Sequence, residues 1–347
     1  MHTGVHRGQA PMHTGVHRGQ ASSHGGVDPK EVFMRDRPYV VAIGGANVDI
    51  AGRPNGPLVA RDSNLGSIRL SHGGVARNIA HNLALLGIDV ELITTFGSDA
   101  LADSLVEGCT EAGIGIAHSF TVPGHATSTY LYVTDSHGEM QVAINDMAIL
   151  DELTGERLEA RKDLVNGASL VLVDTNVPAA TLEWVARNVC APIFCDPIST
   201  VKARKLGGLL GSLHTLKPNL LEAEALSGER IHDGSSLDRA AQTLVSSGLE
   251  RVFISLGADG LHCAEQSESC RLPLLPCRVV DTTGGGDAMM AGLIWAHLHD
   301  LDLRQSGLAG LAASAIAVES DRTVSAAMSE RHLLERMSTL RSYDDSL

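Results

Sequence analysis

The chain has 347 residues, 44% of them hydrophobic, which suits one large α/β domain with a substantial core. Its 41 acids against 27 bases give a formal net charge of −14, which argues against a nucleic acid polymer or an anionic membrane as partner. No apolar run reaches the roughly 18 residues of a membrane span, and the six cysteines form no Cys-x-x-Cys pair, so a soluble, cytoplasmic protein with reduced cysteines is expected.

Residues 1–36 read as a disordered leader, because Met-His-Thr-Gly-Val-His-Arg-Gly-Gln-Ala occurs from Met1 and again from Met12 without apolar periodicity. The fold proper begins with Tyr39 to Gly45, a β-rich apolar run ended by glycines that predicts a buried central strand. Asn47 and Asp49 follow, two positions apart, so an extended backbone points both the same way and they can hold a diol. An Asx turn closing the strand is the alternative. Residues 51–70 are rich in turn formers and predict an excursion from the main sheet.

From Ser71 the pattern is two glycines, a helix with Ile79, Leu83 and Leu86 on its buried stripe, and a stop at Gly87. Asn78 lies in its first two turns, beside Gly73 and Gly74, where it can meet a ligand or pack locally. A strand from Val90 and a helix from Ala100 give the βα rhythm of a parallel sheet. Alternating runs at 129–134 and 139–144 flank Asp135-Ser136-His137-Gly138 and predict a hairpin. With the 51–70 excursion, this hairpin makes a small sheet able to close over a substrate; Thr129 and Asn145 on it can reach a base or ribose, or be ordinary surface polarity.

The parallel rhythm resumes at Leu170 to Asp174, with Asn176 just beyond the strand's carboxyl end. Asn219 stands three residues before Glu222, the spacing of a capping box. Arg251 to Gly260 predicts another buried strand ending in glycines, and the tail after Arg341 reads as frayed. Asp281-Thr282-Thr283-Gly284-Gly285-Gly286-Asp287 runs straight into an apolar helix. Glycines there allow close backbone approach, and a helix start presents free N–H groups to an anion such as phosphate. A carboxylate at that junction can take a hydroxyl proton as the oxygen attacks phosphorus; the alternative is a tight turn with Asp287 merely favouring the helix N-terminus.

Two stretches, Gly73 to Gly87 and Asp281 to Gly292, resemble the signatures of the ribokinase-like sugar and nucleoside kinases, the PfkB family. The resemblance runs from Tyr39 to about Arg336 and implies an α/β fold: a mostly parallel sheet flanked by helices, with a β-sheet lid. The expected domain is 37–341, with lid segments about 51–70 and 118–147 and a frayed tail at 342–347. The resemblance further implies that Gly284, Gly285 and Gly286 form an anion hole, that Asp287 is the catalytic base, and that ATP and Mg²⁺ are the cofactors. Sugar hydroxyls would fall to Asn47, Asp49, Gly73, Gly74 and Asn78, with Asn176 near the substrate. Asn219, Ser255, Gly257 and Gly260 would meet the nucleotide, Glu222 would bear on Mg²⁺ through water, and Asp281 with Thr283 would supply a monovalent-cation (K⁺) site. Gly285 departs from a common family form, which has Ala. Family members often dimerise through the lid, so a homodimer is expected. Within the family the chain most resembles the pseudouridine kinases, implying phosphorylation of a 5′-hydroxyl; another nucleoside or sugar as substrate, or a catalytically silent nucleoside-binding regulator, are the alternatives.

Overall fold

The computed structural model describes residues 37–274 and 277–344; the expected leader at 1–36 and the last three residues of the tail lie outside them. Fourteen strands are present among these residues: β1 Tyr39–Ile43, β2 Asn47–Pro54, β3 Gly66–Gly73, β4 Asp89–Ile93, β5 Thr95–Phe96, β6 Phe120–Thr121 and β7 Thr129–Thr134 come first. Then follow β8 Met140–Asp146, β9 Leu170–Asp174, β10 Ile193–Asp196, β11 Thr215–Leu216, β12 Arg251–Ser255, β13 Leu261–Glu265 and β14 Ser269–Leu272. Eight form the main sheet in the order β14-β13-β12-β11-β10-β9-β1-β4, parallel from β12 to β4 and antiparallel at the β13 and β14 edge.

Strands buried on both faces favour continuous apolar runs, and β1 and β9 have them, β9 as far as Asp174 at its carboxyl end. Alternation along β1 sends Val40 and Ala42 into one core and Val41 and Ile43 into the other, so helices cover both faces. The expectation of a central β1 is corrected: it lies one strand from the β4 edge, since an apolar run reports two covered faces and says nothing of rank in the sheet.

A separate four-stranded sheet, ordered β3-β2-β7-β8, combines the excursion with the hairpin. Asn47 and Asp49 open its strand β2, so they belong to this second sheet rather than to the carboxyl end of a core strand. Helix Gly285–Leu298 starts three residues earlier than its apolar run suggests, because Gly284 takes a left-handed conformation (φ 80°) and hands the chain directly into the helix. The last helix, Glu330–Asp344, continues past Arg341, where fraying was expected.

Candidate active site

On one side of the cleft, the turn after β1 brings Gly44 and Gly45 to the start of β2. Asn47 Nδ2 donates to Asp49 Oδ1 at 2.6 Å, leaving the other Asp49 oxygen against Gly73. A Cβ on Gly73 would stand 2.4 Å from that oxygen, so only glycine admits the carboxylate there. Burial pushes the Asp49 carboxyl above its ordinary range, while Asn47 and Arg77 counter the shift.

Asp174, fully buried at the end of β9, holds this side together. It accepts the backbone N–H groups of Gly45, Ala76 and Asn176, each at 2.9 Å. One carboxylate thus fixes the β1 turn, the start of helix Val75–Leu85 and the loop after β9. These three hydrogen bonds counter its desolvation only in part, and burial still pushes the Asp174 carboxyl above its ordinary range.

Asn78, in the second turn of that helix, donates from Nδ2 to Asp287 Oδ2 at 2.9 Å, and its own oxygen accepts Arg77 Nη1 at 3.2 Å. Asp287 is the third residue of helix Gly285–Leu298 and only partly exposed. Desolvation, with the nearby charges of Asp196 and Asp174, raises its carboxyl to about 7; the Asn78 hydrogen bond and Lys217 pull the other way. A carboxyl with that affinity can accept a proton near neutrality.

Behind the glycine turn, Lys217 Nζ pairs with Asp196 Oδ2 at 3.1 Å, both side chains 8% exposed. A Cβ on Gly286 would lie 3.5 Å from the ammonium, so the cation stands beside the candidate anion cradle. Burial disfavours the charge on Lys217, but Asp196, Asp287 and Glu222 outweigh it and raise its proton affinity. Sequence reasoning passed over Lys217; the signal was a lysine two residues before Asn219, at a strand's carboxyl end.

The Asn219–Glu222 pair is a complete capping box: Asn219 N–H donates to Glu222 Oε2 and Glu222 N–H to Asn219 Oδ1, both at 2.9 Å. Ser255, Gly257, Gly260, Gly285 and Gly286 line one cavity of about 390 Å³, together with the apolar Met289 and Leu311. Apolar side chains and the glycines of a helix start share its lining, a composition suited to an apolar ring with phosphates at the glycines. Glu222, with one oxygen committed to the cap, fits a water-mediated contact to Mg²⁺. Asp281 is exposed and accepts Thr283 N–H at 2.8 Å; this local turn offers a cation one carboxylate and does not enclose it. Among the described residues no group of three His, Cys, Asp or Glu side chains could hold a metal.

Strand register sorts the lid residues. Asp49 stands opposite Tyr130, and Tyr130 opposite Asn145, so all three share a face, with Tyr132 two residues on. Thr129 pairs with Val48 and Asp146 on the other face, which corrects the expectation that it meets the substrate. A period of 2 had not been combined with the register to Asp49, and Tyr130 and Tyr132 were missed for the same reason. Burial, and then the charges of Asp49 and Asp281, raise the Tyr132 hydroxyl.

Residues 37–330 match the pfkB family carbohydrate kinase pattern. The chain belongs to that family. The kinase is 38% identical to the pseudouridine kinase of Escherichia coli (strain K12) over 84% of this chain and 93% of the relative. It is 36% identical to YeiI, an uncharacterized sugar kinase of the same organism, over 83% of this chain and 80% of that one. The ribokinase structure from Thermotoga maritima covers 88% of the kinase with 100% of its own chain at a TM-score of 0.75 and 21% identity, a likeness of fold. The fold is ribokinase-like, and the kinase is a phosphotransferase with an alcohol group as acceptor.

Proposed function

We propose that this kinase transfers the γ-phosphoryl group of ATP to the 5′-hydroxyl of pseudouridine. The observation that carries the reading is the Asn78–Asp287 hydrogen bond, which joins the sugar-side segment to the glycine turn in one cleft. In this reading Asn47, Asp49, Asn78 and the backbone at Gly73 and Gly74 hold the ribose, and Asp287 takes the 5′-hydroxyl proton. Backbone N–H groups at Gly284 to Gly286, with Lys217 beside them, take up charge on the transferring phosphoryl. The 390 Å³ cavity takes the nucleotide, with Ser255, Gly257 and Gly260 on its wall and the Asn219–Glu222 cap near the phosphates. Mg²⁺ would supply charge neutralisation when bound, and Asp281 with Thr283 would lend one ligand to K⁺. The relative named pseudouridine kinase supports the choice of substrate.

The lid supports a homodimer. Its face away from Asp49 exposes Ile68, Leu70, Val142 and Ile144, each more than half accessible. A contiguous apolar sheet face is suited to burial against a second copy. A cytoplasmic, ATP-rich setting follows from the same reading.

Purified protein assayed with ATP against pseudouridine, uridine, adenosine and ribose tests the proposal. Pseudouridine should give the highest kcat/KM; a preference for another acceptor would redirect the substrate, and absence of turnover with all four would favour a silent regulator.

A further inference from the structure

Resting on the reading of Asp287 as the base, we propose that Arg77 is a positioning residue for it: the guanidinium fixes which end of the Asn78 amide faces the carboxylate. Asn78 stands between two groups of opposite character. Arg77 Nη1 donates to its amide oxygen at 3.2 Å, and its amide nitrogen donates to Asp287 Oδ2 at 2.9 Å. A guanidinium only donates and an ionised carboxylate only accepts, so one orientation of the amide satisfies both neighbours and the flipped one satisfies neither. Asn78 is buried, so solvent does not stand in for either partner.

Packing alone gives no reason for an arginine at this place. Arg77 is 5% exposed near the start of helix Val75–Leu85, and its Nε has no hydrogen-bond partner among the described residues. Burial acts most strongly against its charge, with the Cys109 thiol and the Asp49 carboxylate countering it. An apolar side chain of similar length would be the less costly occupant if no donor were needed. The donor is used: the same Nη1 is shared between Asn78 Oδ1 and the carbonyl of His72 at 3.3 Å, the residue before Gly73.

Arg77 thereby extends the tuning of Asp287 by one residue. Without the guanidinium the amide can turn its oxygen toward Asp287, and that oxygen accepts a hydrogen bond only from the protonated acid. The carboxyl, already raised to about 7 by burial and the charge of Asp196, then rises further.

Several other charged groups face this pair. Asp287 meets Asp196, Lys217 and Asp174 from the ends of neighbouring strands. Arg77 meets Asp49 from β2, His72 from β3, His81 from its own helix and Cys109 from helix Ala100–Glu111. Burial and the Arg77 charge hold His81 at about 4 and His72 below its ordinary range, although Glu111 and Glu107 pull His72 the other way. Loss of the Arg77 charge acts on all of these groups whether or not Asn78 is present, and that supplies the control.

The test is the pH profile of kcat/KM, with ATP and the best acceptor of the panel above, for full-length wild type, R77M, N78A and R77M/N78A. R77M should move the rising limb upward by about half a pH unit or more, and R77M/N78A should move it no further than N78A alone. R77K, which keeps a donor-only cation, should return the limb toward its wild-type position. A limb that stays in place in R77M, with activity lowered equally at every pH, would mark a structural role and overturn the proposal. An equal displacement by R77M with and without Asn78 would also overturn it, assigning the effect to charge acting directly across the cleft. If R77M is insoluble, R77Q with and without N78A decides by the same comparison; failure of both to fold would assign Arg77 to the fold and overturn the proposal. A wild-type profile with no limb near 7 would instead defeat Asp287 as the base, and the part of Arg77 with it, before any variant is made.

Discussion

The Asn78 amide and the Asp287 carboxylate meet at 2.9 Å although 209 positions separate them in the chain. A carboxylate held this way is both aimed and tuned: Asn78 favours its charged form while burial and the nearby acids oppose it. Asp287→Asn should therefore lower kcat by about 10²–10⁴-fold with a small change in KM for the nucleoside, measured by steady-state kinetics. Near-normal turnover would remove Asp287 as the base.

Because the proposed base works as the carboxylate, kcat/KM of the wild type should rise with pH through a midpoint near 7 and level off above it. Asn78→Ala removes a contact that lowers the Asp287 pKa, so its rising limb should move to higher pH. A limb that stays in place would separate Asn78 from the titration.

Lys217 and Asp196 are a buried pair, and deleting one partner strands the other. Lys217→Met should cost about 3–5 kcal/mol in urea unfolding, and adding Asp196→Asn should return much of that. Activity should stay low in the double variant if the ammonium faces the phosphoryl group; recovery of both would assign the pair to folding alone.

The glycines before Asp287 differ in what they tolerate. A Cβ on Gly284 would stand 1.9 Å from Thr323 O in a left-handed backbone, whereas one on Gly286 meets only Lys217 Nζ at 3.5 Å. Gly284→Ala should thus lower the melting temperature sharply. Gly286→Ala should fold normally and raise KM for ATP several-fold, since its methyl would stand in the cradle.

His214 and His297, packed edge to face at 4.5 Å beside Phe194, are each lowered by burial to about 4. The unfolded chain takes up these protons near pH 6.5, before the folded chain does. Stability should fall as pH drops from about 6.5 to 4, on the order of 1–3 kcal/mol per histidine. A His214→Gln, His297→Gln double variant should flatten that slope in urea titrations at pH 7 and 5.

Parallel strands and glycine stops announce themselves through local composition, so most elements and both glycine-rich segments were legible in the chain. Asp287 and Asn78 stood out because each sits beside glycines at a helix start. Thr129 misled because a polar residue on an alternating strand has no stated face until its partner strand is known. Lys217 was passed over for a related reason: its place at a strand's carboxyl end is visible in the sequence, but its pairing with Asp196 is not. The rank of β1 in the sheet likewise depends on pairings that no single segment records.

Asp174 gathers amide hydrogens from residues 45, 76 and 176, which the ribosome delivers far apart in time. A single carboxylate is therefore a common anchor for three segments, and its loss would loosen the β1 turn, the start of helix Val75–Leu85 and the loop after β9 together.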